Sequence, residues 1–280
     1  YQAARLNLAR LYRTRKDLDG ATAEYAKLLQ QQPGYLAAVT GLVEMALERQ
    51  DEKEIVRLVN LAVKENPENE KAHLLKVQQL LSLGRKDKAL TAARNFVAAL
   101  PESPAAYDAL ARGQMASGDV SSAIVTYRQL VARVPDNAVA HFRLAQVLIA
   151  NGDYTDAMFA LEKTLALDPS SNEARQQRID MEQKVHGDER AIVMARKLFA
   201  EAPDGSDRAL GLGKALIKLG RADEGLKLIV TTFEDVGGGT ELVALYHAYD
   251  LAGRPLKAAE AMVAWVDAQR EAGDIQMGAV

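Results

Sequence analysis

A chain of 280 residues with 48% apolar and 26% charged residues has the composition of a folded globular protein. Its formal net charge of −3 offers polyanions no long-range attraction, and the absence of cysteine excludes a disulfide framework and thiolate chemistry. No apolar run approaches the roughly 18–20 residues that span a bilayer.

Internal repetition governs the chain. Pro33, Pro67, Pro101, Pro135, Pro169 and Pro203 follow one another at 34-residue intervals. Gly84, Gly118, Gly152 and Gly220 share a second slot of the same frame, and Ala21, Ala89, Ala123, Ala157 and Ala191 a third. Three interlocked periods of one length mark a repeat architecture. Units are expected at 2–35, 36–69, 70–103, 104–137, 138–171, 172–205 and 206–239, with a last one at 239–272 after a slip of one residue.

In chain order, unit 2–35 carries Leu8, Ala9, Tyr12, Ala21, Tyr25 and Pro33. Unit 36–69 keeps Leu42, Ala62 and Pro67 but has Gln50 in the glycine slot and Ile55 in the alanine slot. Unit 70–103 recovers Gly84, Ala89 and Pro101. Unit 104–137 is the cleanest. Ser103 is a good N-cap, and Pro104 suits a first helical turn, where no N–H bond is needed. Tyr107, Leu110, Ala111 and Gln114 fall at i, i+3, i+4 and i+7, one face of a 3.6-residue period. Gly118 can take the left-handed conformation that closes this helix, and Asp119 can cap a second helix with Ala123, Tyr127 and Leu130 inside. Pro135 ends that helix. The spacing therefore predicts an all-α chain of helix–turn–helix hairpins. Unit 138–171 repeats the pattern with Leu144, Ala145, Gly152, Tyr154, Ala157 and Pro169.

The later units depart from it. Unit 172–205 has His186 in the glycine slot, Gly187 one place on, and a polar first helix from Arg175 to Lys184. Unit 206–239 keeps Leu212, Gly213 and Gly220 but has Gly225 in the alanine slot and ends in Gly237–Gly238–Gly239. That run, near 236–240, is expected to act as a hinge. Leu245, Tyr249, Gly253 and Ala258 fit the last unit. Tyr1 falls within a first helix and Val280 a few residues into a further unit, as expected of a fragment from a longer array.

These residues resemble the tetratricopeptide repeat family. Its motif has a large residue at position 4, leucine at 7, a small residue at 8, an aromatic at 11, glycine at 15, alanine at 20, an aromatic at 24 and proline at 32. Unit 104–137 departs only at Gln114. The resemblance implies one right-handed superhelical solenoid of about eight repeats over residues 1–280, acting as a scaffold for protein–protein interaction. In such proteins positions 2, 5, 9 and 12 of the first helices line the concave face. Transferred here, these slots select Leu74, Gln78, Leu81, Arg112, Met115, Phe142, Gln146 and Ile149. An apolar floor with Arg112 and two glutamines suits a protein or peptide laid in a groove. The same groups could instead pack on the neighbouring first helix or on another copy of the chain.

Chemistry is sparse. His73 and His141 share position 4, where a packing role is expected, and His186 is placed in a turn. His247 has no second histidine or cysteine at a metal-ligand spacing, so no metal and no cofactor are expected. Gly237–Gly239 lacks the Gly-Lys-Ser/Thr that completes a phosphate loop, and no Gly-x-Ser-x-Gly occurs. No enzyme activity is expected. The chaperone-binding members grip a carboxylate with five basic and amide side chains. The matching slots hold Leu74, Gln78, Ala109, Val139 and Arg143, and only Arg143 agrees. A nucleic-acid binder similar to pentatricopeptide proteins is opposed by the acidic balance. So is it by the alternation of charge, with 4 basic and 7 acidic residues in 36–69 but 6 and 3 in 70–103. A spacer array attached to a domain outside the chain is a further alternative. Segments such as 219–225, Leu-Gly-Arg-Ala-Asp-Glu-Gly, look like bacterial arrays of exopolysaccharide export and the PEP-CTERM/exosortase system. That likeness implies a periplasmic or envelope-associated place, while the lack of cysteine fits cytosol and periplasm equally.

Overall fold

The computed structural model describes residues 1–201, 206–234 and 239–271. The chain divides into two compact units, Tyr1–Asp136 and Asn137–Val280. The first holds α1 (Gln2–Thr14), α2 (Leu18–Gln31), α3 (Leu36–Glu48), α4 (Glu52–Glu65), α5 (Glu70–Ser82), α6 (Lys86–Ala99), α7 (Pro104–Ala116) and α8 (Val120–Arg133). The second holds α9 (Ala138–Asn151), α10 (Tyr154–Leu167), α11 (Asn172–His186), α12 (Asp188–Ala200), α13 (Ser206–Lys218), α14 (Ala222–Glu234), α15 (Gly239–Leu251) and α16 (Pro255–Glu271). No strand occurs among the described residues. Of the glycine run read as a hinge, Gly237 and Gly238 lie outside the described residues, and Gly239 opens α15.

Each odd-numbered helix packs on the even-numbered one that follows it. Local chemistry sets where these helices begin. The side chains of Asn69, Ser103, Asn137 and Ser171 accept hydrogen bonds from the first free N–H groups of α5, α7, α9 and α11. Asp17, Asp51 and Asp119 do the same for α2, α4 and α8. The turn between the two helices of a hairpin needs one residue at positive φ. Gly84, Gly118, Gly152, Gly220 and Gly253 provide it, with φ between 66° and 89°. In the first two hairpins Lys16 and Gln50 adopt the same conformation, at φ 61° and 55°, without being glycine. In the hairpin of α11 and α12 the expectation of His186 in a turn is corrected. His186 is the last residue of a 15-residue helix, and Gly187 makes the turn at φ 87°.

The alanine slot is where helices come closest. Ala21, Ala89, Ala123, Ala157 and Ala191 are each fully buried. Larger side chains fill the space around them: Tyr25, Leu28, Val39 and Leu58 in the first unit, Leu148, Leu161, Leu216 and Ile229 in the second. His73 is buried too. Its Nε2 lies 2.8 Å from the carbonyl oxygen of Pro67, and its ring stacks on Phe96 at 4.9 Å.

The polar face of α11 does not go to solvent. Arg175, Arg178 and Glu182 are all buried. Arg178 Nη1 lies 2.7 Å from Glu182 Oε2, and Nη2 lies 3.0 Å from Glu162 Oε1. Glu182 also pairs with Arg190 at 3.3 Å. Arg175 donates to the Pro169 carbonyl and to Asn172, and its guanidinium lies over the Phe199 ring at 5.6 Å. Desolvation holds the Arg175 guanidinium below its ordinary range, with the Asp168 charge acting in the opposite direction. A charged cluster therefore fills slots 4, 7 and 11, which in α3 hold the buried Val39, Leu42 and Ala46.

Candidate protein-interaction surface

First helices of neighbouring hairpins lie side by side: α5 packs on α7, and α13 on both α11 and α15. Slots 2, 5, 9 and 12 recur at i, i+3, i+7 and i+10, which is a single stripe along a helix. On α5 and α7 the stripe stays open to solvent. Leu74 and Leu81 are half-buried and lie against Val77, Leu80 and Phe96, while Gln78 between them is exposed. Met115 is half-buried on α7, one turn beyond the exposed Arg112.

Arg112 is steered from within its own hairpin. Its Nη1 lies 3.8 Å from Asp108 Oδ2, and Asp108 Oδ1 accepts a hydrogen bond from the buried Tyr127 hydroxyl at 3.2 Å. An exposed pair of this kind stabilises by only about 0–1 kcal/mol, so its consequence is orientation of the guanidinium. In the second unit Phe142, Gln146 and Ile149 sit half-buried on α9, and Gln146 Oε1 accepts from Arg143 at 3.0 Å. The eight residues picked from the sequence thus fall into two sets, five on the adjoining α5 and α7 and three on α9.

The second unit adds a depression that slot transfer to the middle hairpins passes over. About 320 Å³ lies between α11 and α13, lined by Glu173, Gln176, Leu210 and Lys214, with Phe199 and Gly211 completing the wall. Glu173 occupies slot 2, Gln176 and Leu210 slot 5, and Lys214 slot 9, so extending the same stripe to the later units finds them. A carboxylate, an amine and a carboxamide around an aromatic ring can hydrogen-bond a polar chain while the ring contacts its side chains.

Among the described residues no group of three or more histidine, aspartate or glutamate side chains is arranged to hold a metal ion. Among the same residues no helix is long and apolar enough to cross a membrane.

Two-helix hairpins recurring every 34 residues and closing on buried alanines define a helical-repeat protein. Residues 114–179 match the family model of the tetratricopeptide repeat, and the fold around them is an all-α helical repeat. No curated protein matches it in sequence. Among solved structures, a tetratricopeptide repeat protein from Parabacteroides merdae is similar over 91% of this chain and 98% of its own, at 14% identity and a TM-score of 0.55. PilW, described as a widely conserved type IV pilus biogenesis factor, is similar over 71% of this chain and 92% of its own, at 18% identity and a TM-score of 0.52. MamA from Desulfovibrio magneticus RS-1, from residue 41 to its end, is 16% identical over 58% of this chain and 92% of its own, with a TM-score of 0.49. At these identities the likeness concerns the fold.

Proposed function

We propose that the chain is a non-catalytic scaffold that binds a protein or peptide along the open stripe of its first helices, without a cofactor and without nucleic acid. The observation that carries this reading is the partial exposure of Leu74, Leu81, Met115, Phe142 and Ile149 at slots 5 and 12. Full burial of apolar side chains of this size stabilises by about 1.5–3 kcal/mol each, and a partner that completes it here adds roughly half of that. Gln78, Arg112 and Gln146 edge them with polar groups that fix the register of a bound helix or extended segment.

The test is a pull-down with the chain as bait beside a Leu74→Ala/Met115→Ala/Phe142→Ala variant. Loss of a captured partner with helix content unchanged is the expected result; capture untouched by all three substitutions overturns the assignment of the stripe. A gel shift with RNA at low salt should show no complex, and a salt-sensitive shift would favour the nucleic-acid alternative. The setting we infer is the bacterial envelope, in exopolysaccharide export of the PEP-CTERM/exosortase kind. It is supported by the likeness of segment 219–225 to such arrays. Recovery of the chain from the cytosol alone on cell fractionation would exclude that setting.

A further inference from the structure

Slot 7 of the repeat holds Leu8, Leu42, Leu110, Leu144 and Leu212, but Lys76 and Arg178 break the series. The two cations stand three repeat lengths apart (178 − 76 = 3 × 34), so each meets the same neighbouring slots. Around Arg178 those slots hold Met158, Glu162 and Glu182. Sδ of Met158 lies at 3.2 Å, Glu162 Oε1 at 3.0 Å and Glu182 Oε2 at 2.7 Å. Three repeats earlier the same slots hold Val56, Asn60 and Leu80. Both carboxylates are replaced, one by an amide and one by a hydrocarbon.

The space that the anions would occupy is open. Val56, Asn60 and Leu80 line, together with Lys76, a cavity of about 390 Å³ framed by α4, α5 and α6. Its volume lies in the range of small-ligand sites. Lys76 is half-buried, and burial alone holds its ammonium below the ordinary lysine range, with no carboxylate acting against it. Asp87 and Lys88, the other charged residues of the lining, are both exposed on α6. Asn60 on α4 and Asn95 on α6 also line it, carboxamides able to donate to an oxygen anion.

We propose that this cavity binds a carboxylate carried on a short aliphatic stem, the ligand supplying to Lys76 the anion that Glu162 and Glu182 supply to Arg178. The amine meets one carboxylate oxygen and an asparagine amide the other, while Val56, Leu80 and Ala92 take the hydrocarbon. The site is separate from the stripe of slots 2, 5, 9 and 12. Its chemistry serves equally a free small acid and a glutamate side chain of a partner.

The experiment follows the Lys76 amine by NMR in the full chain with its lysines reductively methylated. Hexanoate, hexanamide and a capped alanine–glutamate–alanine tripeptide are the probes. Either carboxylate should move the Lys76 signal and raise its pKa, and the amide should bind at least about tenfold more weakly. Tighter binding of hexanoate identifies a free acid as the source, and tighter binding of the tripeptide a glutamate side chain. Asn60→Glu restores the internal partner of the Arg178 cluster; it should raise the melting temperature and weaken both carboxylates at least about tenfold. Lys76→Leu, the usual occupant of the slot, should fold and lose binding altogether. A Lys76 signal unmoved by both carboxylates, an equal response to the amide, or undiminished affinity in Asn60→Glu would overturn the proposal.

Discussion

Gly41 offers a test in which two rules of helix chemistry predict opposite signs. It lies buried within α3, where alanine would raise intrinsic helix stability by about 1 kcal/mol. A Cβ added there would stand 2.3 Å from Cζ of Tyr25, 2.6 Å from Cε1 and 2.8 Å from Cε2. Carbon atoms in contact prefer about 3.5–4.0 Å, so the ring would have to retreat by more than about 1 Å. Tyr25 has nowhere to go, being 1% exposed within the first unit's core. Overpacking a tight core costs about 1–3 kcal/mol, and so short an approach belongs at the upper end. Subtracting the helix gain leaves a net loss of about 2 kcal/mol for Gly41→Ala. Urea unfolding with hydrogen exchange at the α2 and α3 amides measures it, because exchange reports the hairpin even where the chain does not unfold as one unit. In a Tyr25→Leu background the ring is gone, and the same substitution should turn neutral or stabilising. Gly41→Ala more stable than wild type by about 1 kcal/mol would mean that helix propensity decides and the close approach is not a constraint.

Gln50→Gly should stabilise by roughly 0.5–1 kcal/mol, since a left-handed L-residue costs about 1–2 kcal/mol and glycine returns part of that as chain entropy; an unchanged or lowered melting temperature contradicts it. The Glu24 carboxylate, hydrogen-bonded by Lys27 at 2.6 Å and Arg5 at 2.8 Å, is held below the ordinary carboxylate range despite its burial. Its contribution is therefore full above the unfolded-state pKa and disappears as pH falls through the lower folded value, so Glu24→Gln should flatten the acid limb of a stability–pH profile. Arg178→Met leaves Glu182 buried with Arg190 at 3.3 Å and His186 at 3.9 Å, and should cost about 3–5 kcal/mol in denaturation. An Arg178→Leu/Glu182→Leu pair should recover most of that loss, and a single variant as stable as wild type would show the cluster to be inert.

The hairpins were legible because their punctuation residues have strict backbone needs. Proline cannot continue a second helix, and glycine takes the positive φ of the turn at little cost. Where other residues meet the same need, as Lys16 and Gln50 do, the turn can be found only from the period of its neighbours. The polar sequence of α11 was visible, but its burial was not. Arg178 and Glu162 are 16 residues apart on different helices, and nothing local tells a paired interior arginine from a solvated one. The stripe of candidate contact residues rests on slot position, which sequence supplies, whereas the depression at Glu173 and Lys214 depends on how Phe199 fills the space beside Gly211.

The three fates of slot 7 show how a repeat chain tolerates cations inside. Leucine is buried there at Leu42 and Leu144, half-buried at Leu110 and Leu212 and exposed only in the first hairpin at Leu8, and it needs no partner beyond its neighbours. Arg178 is enclosed, and two carboxylates and a thioether satisfy its guanidinium. Lys76 has neither arrangement, since Val56, Asn60 and Leu80 stand in the slots that hold Met158 and the two carboxylates around Arg178, and burial already disfavours its charge. Stability in a repeat protein is close to a sum over hairpins and their interfaces, so a weakness at one slot stays local to the hairpin of α5 and α6. That locality lets one repeat carry a partly desolvated cation while its neighbours hold the fold. It also makes the site separable, because refilling slot 7 with leucine should strengthen the hairpin and remove the amine without altering the stripe along α5 and α7.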